Sequence, residues 1–406
     1  MAKIAILGYG TVGSGVAEVI RTNNRSINSK AGEDVEIKYI LDLRDFPGDP
    51  MESAIVHDFG IIANDPEIDV VVETMGGKGA AYEFTKRALS AGKSVCTSNK
   101  ELVAEHGEEL MELAGENNAN YLFEASCGGT IPIIRPLNNA MTADEIEELV
   151  GIMNGTTNYI LTKMTFEGAD YAEVLSQAQA LGYAEKDPTA DVEGHDTCRK
   201  LAILSAIAFG MHVSYKDVKT EGITGIDSTD IEYADALGMK IKLVGMSKRI
   251  EGGITCMVCP MLISDRSPMY LVDDVFNAIL VKGNMSGEVM FYGKGAGKLP
   301  TGSAVVADVV DLIKNKGRNI MAGQRDDELK VFPSGKMESR FFVRVEGDVE
   351  SLDETISSAF GDVECVCLDG RDEFAFVTAA MTEDEFESAV SGIGNVVKMI
   401  RVRIEE

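Results

Sequence analysis

The chain has 406 residues and a formal charge of −28, from 38 lysines and arginines against 66 acids. That balance excludes the basic patches needed by nucleic-acid and anionic-membrane binders, and it leaves any phosphate cofactor to a few placed cations. No apolar run approaches the roughly 18 residues of a membrane span, and the length allows two or three domains around a large core.

Seven cysteines, an odd number without framework spacing, suit a reducing cytoplasm. Cys256 and Cys259 form a single C-x-x-C with no second pair and no nearby histidine, which reads as two small residues in a strand rather than a zinc site.

Residues 2–13 run Ala-Lys-Ile-Ala-Ile-Leu-Gly8-Tyr9-Gly10-Thr11-Val12-Gly13. A buried strand enters G-x-G-x-x-G, and an amphipathic helix is expected to follow through about Asn24. Glycine comes too early for a secretory signal. The motif sits between strand and helix, where its glycines let the backbone approach a pyrophosphate at the helix N-terminus. A tight βα turn without ligand uses the same residues. The second strand, 35–41, ends in Asp42-Leu43-Arg44-Asp45. A carboxylate there bonds a ribose 2′-hydroxyl, whereas an arginine accommodates a 2′-phosphate. Arg44, a rare cation in an acidic chain, favours NADP, with NAD left open. A surface pair between Arg44 and Asp45 is the plainer alternative.

Further buried strands are expected at 69–73, 94–97 and 120–124, with helices at about 79–91 and 99–117. This alternation predicts a parallel, doubly wound sheet, whose ligands lie off the carboxyl ends of the strands. Thr74, Gly76, Thr97, Ser98 and Lys100 stand at those ends. Lys100 alone also fits an ordinary surface lysine.

Beyond residue 136 the pattern changes. A strand at 145–153 leads to Asn154-Gly155-Thr156-Thr157-Asn158. Amides and hydroxyls there suit either a carboxylate ligand or the cap of the next helix. Residues 179–200 then crowd Glu185, Asp187, Asp191, Glu193, Asp196, Arg199 and Lys200 ahead of the apolar Leu201–Phe209. Asp187-Pro188 ends any preceding helix, and Asp191 is the expected N-cap of a new one. On that helix Asp196 and Lys200 share a face. They read either as a solvated ion pair or as an ammonium held for chemistry beside acids that grip a cationic substrate. Strands at 253–263 and 277–281 suggest a mainly antiparallel sheet, with helices on one face, that also pairs subunits. A glycine-rich connector, 291–301, precedes a helix at 303–314 expected to pack on the first domain. Residues 318–337 read as a linker. The tail reads strand, helix, strand, strand, helix, strand over 339–403, a ferredoxin-like βαββαβ.

The span Gly182-Tyr183-Ala184-Glu185-Lys186-Asp187-Pro188-Thr189-Ala190-Asp191-Val192-Glu193-Gly194-His195-Asp196-Thr197-Cys198-Arg199-Lys200 resembles the homoserine dehydrogenase signature, G-x-A-E-x-D-P-x-x-D-x-x-G-x-D-x-x-x-K, without a break. Gly8 to Gly13, Glu73 to Gly77, Asn99-Lys100, Asn154 to Asn158, Asn277-Ala278 and Gly293 to Thr301 match in order. The resemblance covers residues 1 to about 320. It implies reversible reduction of L-aspartate 4-semialdehyde to L-homoserine with NADPH or NADH, on the route to threonine and methionine. It implies Lys200 as proton donor and acceptor, with Lys100 in support and Asp196 orienting Lys200 and the substrate. Glu185 and Asp191 would hold the substrate ammonium, and Gly155, Thr156 and Tyr183 would line its pocket. The cofactor would meet Gly8, Gly10, Thr11, Val12, Gly13, Arg44, Thr74, Gly76, Thr97, Ser98, Lys100 and Gly297. A monovalent cation, Na+, would sit on main-chain carbonyls of Glu124, Cys127, Gly129 and Ile131. The tail resembles an ACT regulatory domain with an amino-acid effector, although Gly347-Asp-Val-Glu350 replaces the usual Asp-x-Pro-Gly turn. A homodimer or higher homo-oligomer through the middle domain is implied as well.

The expected organisation is a nucleotide-binding domain over 1–135, completed by a helix around 301–320. A catalytic and dimerisation domain over 136–300, a linker over 321–337 and a regulatory domain over 338–406 follow. The rival readings are another NAD(P)-dependent amino-acid oxidoreductase and a regulatory dinucleotide-binding protein without catalysis.

Overall fold

The computed structural model describes residues 1–321 and 328–405. They divide into two compact units. The first comprises Met1–Ala143, Ala206–Gly210 and the described residues of Gly293–Arg325; the second comprises Asp144–Ser205, Met211–Tyr292 and the described residues of Asp326–Glu406.

The first unit opens with β1 (Ala2–Leu7), α1 (Thr11–Thr22), α2 (Asn24–Ala31), β2 (Val35–Leu41), β3 (Ile55–Val56), α3 (Phe59–Ala63), β4 (Ile68–Glu73), α4 (Gly79–Ser90), β5 (Ser94–Thr97), α5 (Lys100–Glu116) and β6 (Tyr121–Leu122). Its six strands are parallel, in the order β3-β2-β1-β4-β5-β6. This is the doubly wound sheet the alternation predicts. Ile4 and Ile6 of β1, Val70 and Val72 of β4, and Val16 and Ile20 of α1 share one core. The expected strand at 120–124 is only Tyr121–Leu122, because the chain turns at Glu124 into a short 3₁₀ segment. The helix expected through Asn24 breaks at Asn23, and α2 follows.

The chain continues through β7 (Ile146–Ile152), α6 (Gly155–Glu167), α7 (Tyr171–Ala180), α8 (Thr189–Val192), α9 (His195–Phe209), β8 (Lys219–Thr220), α10 (Ser228–Ala236), β9 (Met239–Ile250), β10 (Gly253–Ser264), β11 (Phe276–Gly283) and β12 (Gly287–Lys294). Asp191 is not an N-cap: it lies inside α8, Pro188 holds that cap position, and Asp187 instead accepts from the Thr189 amide. β9, absent from the sequence reading, carries three lysines in twelve residues. Lys242 among them is nevertheless buried, its ammonium donating to Asn158 Oδ1 (3.1 Å), the Val272 carbonyl (2.7 Å) and Asp273 (2.8 Å). Burial pushes Lys242 down to about 8, against the pull of Asp273. Cys256 and Cys259 both lie in β10, three residues apart and so on opposite faces. Cys256 Sγ is 4.0 Å from Ser205 Oγ of α9, while Cys259 joins the apolar cluster on the other face. They cannot share a metal.

Next comes α11 (Lys298–Lys314), five residues longer at its start than expected. Pro300 is tolerated there because it falls in the first turn. This helix packs on α1, as its apolar face predicts. A Cβ on Gly15 would lie 2.3 Å from the Lys298 carbonyl oxygen, and one on Gly302 2.8 Å from Gly15 carbon, so both helices need glycine at the crossing.

Of the linker expected over 321–337, residues 322–327 lie outside the described residues, and β13 (Lys330–Phe332) pairs with β10. The tail then runs β14 (Glu338–Glu346), α12 (Val349–Phe360), β15 (Cys365–Cys367), β16 (Glu373–Val377), β17 (Met381–Thr382), α13 (Glu383–Val390) and β18 (Val396–Val402). Its strands stand in the order β18-β14-β16-β15, the arrangement of a βαββαβ unit. Through β18, parallel to β10, they extend the middle strands into one twelve-stranded mixed sheet. Arg401 of β18 is buried at that seam, paired with Glu221 and Glu383.

Candidate functional site

In the first unit, β1 ends in Gly8, at φ +91°, where a side chain would be strained. A Cβ on Gly13 would lie 1.9 Å from the Gly8 carbonyl oxygen, while one on Gly10 would meet nothing within 4 Å. Gly13 is therefore demanded by the turn, and Gly10 faces open space. α1 begins there with no side-chain cap and no acid in its first turn. Its leading amides, around Thr11 and Val12, remain for an anion. This cradle fits a dinucleotide pyrophosphate.

The neighbouring strand exits are tied together. Thr74 Oγ1 donates to the Leu7 (3.0 Å) and Gly8 (2.9 Å) carbonyls. Glu73 is wholly buried; it accepts from Thr97 Oγ1 (2.5 Å) and the Met75 amide (2.7 Å), and burial pushes its carboxyl up. Asn99 caps α5 through the Leu102 amide (3.1 Å) and donates to the Gly77 carbonyl (2.6 Å). Thr97 thus spends its hydroxyl on Glu73, whereas Gly76 is exposed and Ser98 and Lys100 are half-buried. Lys100 is the first residue of α5. Gly297 is exposed at the N-cap of α11, at φ +132°.

At the end of β2, Asp42 accepts from the Tyr9 amide (2.8 Å) and from Arg44 Nε and NH2 (both 3.0 Å). The guanidinium holds the Asp42 carboxyl well below the usual range. Arg44 therefore pairs with Asp42, not with Asp45, and keeps most of its own surface exposed.

Around Glu124 the chain is compact and buried. Its carboxylate accepts from the amides of Ile133 (2.6 Å), Ile134 (2.9 Å) and Arg135 (2.8 Å). Gly128 and Gly129 follow in left-handed conformation. A Cβ on Gly129 would come within 2.4 Å of the Gly295 carbonyl oxygen. Cys127 and Ile131 are buried in the same turn. With its side chain committed to amides, Glu124 has only its carbonyl for an ion, as do Gly129 and Ile131, which carry no polar side-chain atom. Such a set of neutral oxygens fits a monovalent cation better than a transition metal.

The second unit carries a polar cluster at the start of α6 and α9. Lys200 Nζ donates to Asp196 Oδ2 (2.7 Å) and to the Met153 carbonyl (2.8 Å). Asn154 Nδ2 lies 2.9 Å from Asp196 Oδ2 and 2.7 Å from Asp191 Oδ1. Its Oδ1 caps α6 by accepting from the Thr157 amide (2.9 Å). The Lys200 side chain is 11% exposed and that of Asp196 5%. The pair is therefore largely out of water and is not the solvated surface pair of the plainer reading. Gly155 must be small, because a Cβ would approach the Val275 carbonyl oxygen to 2.9 Å. Thr156 Oγ1 donates to the Tyr183 carbonyl (2.7 Å), and the exposed Tyr183 ring packs edge-on against Tyr159 at 5.1 Å. Glu185 is exposed, its carbonyl held by Gln179. Within this unit the fold brings together Lys200, Asp196, Asp191, Gly155 and Thr156. Asn154 and the Met153 carbonyl are the members the sequence reading left out. The signal was there in Asn-Gly-Thr-Thr-Asn, but the reading used Asn154 only as a cap.

A model of the family described as "Homoserine dehydrogenase" matches residues 132–310, and one described as "Homoserine dehydrogenase, NAD binding domain" matches 8–124. The homoserine dehydrogenase of Bacillus subtilis is 38% identical over 417 residues, covering 97% of this chain and 95% of its own. The solved homoserine dehydrogenase of Thiobacillus denitrificans superimposes with a TM-score of 0.90 at 34% identity, covering 99% of this chain and 98% of its own. A hyperthermophilic archaeal homoserine dehydrogenase, solved in complex with NADPH, gives a TM-score of 0.65 at 28% identity, over 77% of this chain and 97% of its own.

Proposed function

Because the chain belongs to the homoserine dehydrogenase family, an NAD(P)-dependent oxidoreductase acting on a CH–OH group, we propose the following division of labour among its residues. The observation that carries it is the largely shielded Lys200 ammonium, fixed between Asp196 and the Met153 carbonyl. The bound nicotinamide supplies or takes the hydride, so the protein binds, orients and moves one proton. As aspartate 4-semialdehyde becomes homoserine, negative charge grows on the aldehyde oxygen. Lys200 Nζ gives that oxygen a proton, and in the oxidative direction takes it back. Asp196 and Asn154 keep the ammonium in one position. Asp191 and Glu185 receive the substrate ammonium, and the first amides of α6, at Gly155 and Thr156, receive its carboxylate. Lys100 adds positive charge in support, and Tyr183 completes the pocket wall. The pyrophosphate is held by Gly8, Gly10, Thr11, Val12 and Gly13. The remaining cofactor contacts come from Thr74, Gly76, Thr97, Ser98 and Gly297, and main-chain carbonyls of Glu124, Cys127, Gly129 and Ile131 hold Na+. NADPH oxidation on adding aspartate semialdehyde, with homoserine as product, tests the activity; no turnover with either nicotinamide cofactor sinks it.

Arg44 is assigned to the adenosine 2′-phosphate, which supports NADP as the cofactor. Its exposed guanidinium is anchored on Asp42, so a phosphate has a preformed partner. Arg44→Ala is expected to raise KM for NADPH by about 5- to 10-fold, in the range of one net hydrogen bond at an exposed site, and to change KM for NADH less. Equal effects would remove Arg44 from that role.

The tail is assigned as an ACT-like domain that takes an amino-acid effector, and the enzyme as a cytoplasmic homodimer or higher homo-oligomer. The βαββαβ order supports the first part. Among the described residues no helix is long and apolar enough to cross a membrane. Threonine titrated into the full-length enzyme by calorimetry is expected to give saturable heat, and a flat titration with threonine and methionine alike would count against the effector. Light scattering that returns the mass of a single chain would refute the oligomer.

A further inference from the structure

The cofactor end of the first unit holds a second cation that the assignment above leaves unused. β3 lies beside β2 in parallel register, Leu41 opposite Val56, so the next residues, Asp42 and His57, leave the sheet side by side. The Asp42 amide donates to the Val56 carbonyl (3.2 Å), which fixes that pairing. The His57 ring stands 2.7 Å from the Asp42 carbonyl oxygen through Nδ1 and 3.1 Å from Asp45 Oδ1 through Nε2. Both partners can only accept. A neutral imidazole has one N–H and satisfies one of them, whereas the imidazolium satisfies both.

The charged groups around the ring are few. Asp42 is engaged by Arg44 and the Tyr9 amide. Asp45 is 82% exposed. Asp58, the next residue, caps α3 through the Gly60 amide, and Glu52 accepts from the Gly48 amide. With His57 charged, the nearest set of Arg44, His57, Asp42 and Asp45 sums to zero; with His57 neutral it sums to −1. A phosphate monoester arrives with a charge of about −1.5 to −2, in a chain already at −28. The loss of one positive charge here falls directly on its binding.

We infer that His57, as the imidazolium, is a second specificity residue for the 2′-phosphate of NADP, and that it makes the preference for NADP over NAD fall as the pH rises. This rests on the reading that Arg44 and its loop meet that phosphate. The Asp42 carbonyl, first, and the charge of Asp45 raise the ring above its ordinary 6.5, against desolvation, which moves the loss of preference to higher pH than for a free imidazole. The sign is fixed: charge is present below that point and vanishes above it. The phosphate's own second ionisation, near pH 6, acts oppositely, since it strengthens binding as pH rises.

The test is calorimetric titration of the substrate-free enzyme with NADP+ and with NAD+ between pH 5.5 and 9. The ratio of dissociation constants, NAD+ over NADP+, is expected to fall about 3- to 5-fold as the pH rises through the titration of His57, the scale of one exposed charge contact. In His57→Gln the ratio should start lower and lack the fall. In His57→Lys, which stays charged over that range, it should stay high. Proton NMR of the imidazoles supplies a second readout. His57 should titrate at higher pH with NADP+ bound than with NAD+ bound. Identical profiles in the wild type and His57→Gln, or a His57 titration indifferent to the 2′-phosphate, overturn the inference. If Arg44→Ala still lowers the ratio in that case, only His57 is removed from the site. If Arg44→Ala is also silent, the reading of the whole loop falls with it.

Discussion

Lys200→Ala is expected to lower kcat by at least ~10²-fold, the loss typical of a positioned acid–base, while the dissociation constant of NADPH stays within about twofold of the wild type, below the ~1 kcal/mol of a single lost contact. The separation follows from the architecture. The residues assigned to the pyrophosphate and ribose belong to the first unit, and Lys200, Asp196, Asn154 and Met153 to the second. Deletion of the ammonium has a structural cost as well. Asp196 is buried and would lose its ion pair with Lys200 while keeping its contact with Asn154. A buried charge that loses its partner costs about 3–5 kcal/mol, so thermal melting must accompany the kinetics. The double variant Lys200→Met, Asp196→Asn removes both charges and separates the two effects. If it melts near the wild type and still turns over slowly, the loss is chemical. Full activity in Lys200→Ala, or a loss recovered in the double variant, would remove Lys200 from the proton transfer.

How much of this was legible beforehand depends on which force places each residue. β1, β4 and β5 are near-continuous apolar runs between glycine-rich exits, and the doubly wound sheet follows from that pattern. β9 was hidden because its lysines interrupt the apolar run, and the burial of Lys242 depends on Asp273 and Asn158, distant in sequence. α10 is absent from the sequence reading as well, although Asp227 and Asp230 stand at its start. In the fold they form a capping box, and Asp230 pairs with buried Arg344 from the tail at 2.5 Å. The same division holds at the site. Asp196 and Lys200 could be paired from helical spacing alone. Their link to Asp191 runs through Asn154, 37 and 42 positions upstream, which no local rule connects. Arg44 was given Asp45 as its alternative partner by adjacency. The turn after β2 instead folds the guanidinium back onto Asp42, two residues earlier, where the Tyr9 amide already orients the carboxylate.

A large stability effect is expected at Glu124. Its carboxylate is 2% exposed and serves as acceptor for three consecutive amides, those of Ile133, Ile134 and Arg135. The Glu124 amide in turn donates to Asp308 (2.9 Å), which pairs with Arg135 at 2.5 Å. Alanine at 124 strips three N–H groups of their acceptor at once, and each buried donor so abandoned costs about 1–3 kcal/mol. Arg135 keeps Asp308 and Asp311, so its charge is not orphaned. Water entering the space recovers part of the loss, which leaves about 3–5 kcal/mol. For a unit of this size that corresponds to a fall in Tm of at least ~6 °C. Glu124→Gln keeps one carbonyl oxygen at the end of an equally long side chain and should lose less than half as much. The comparison also bears on the cation assigned to this turn. Main-chain carbonyls hold the ion in that assignment, so Glu124→Gln, which preserves the turn, should retain any rise in Tm given by Na+ over choline at equal ionic strength, while Glu124→Ala should lose it. If Tm in Glu124→Ala stays within about 2 °C of the wild type, less than ~1 kcal/mol on the same scale, the carboxylate is not what organises residues 124–135.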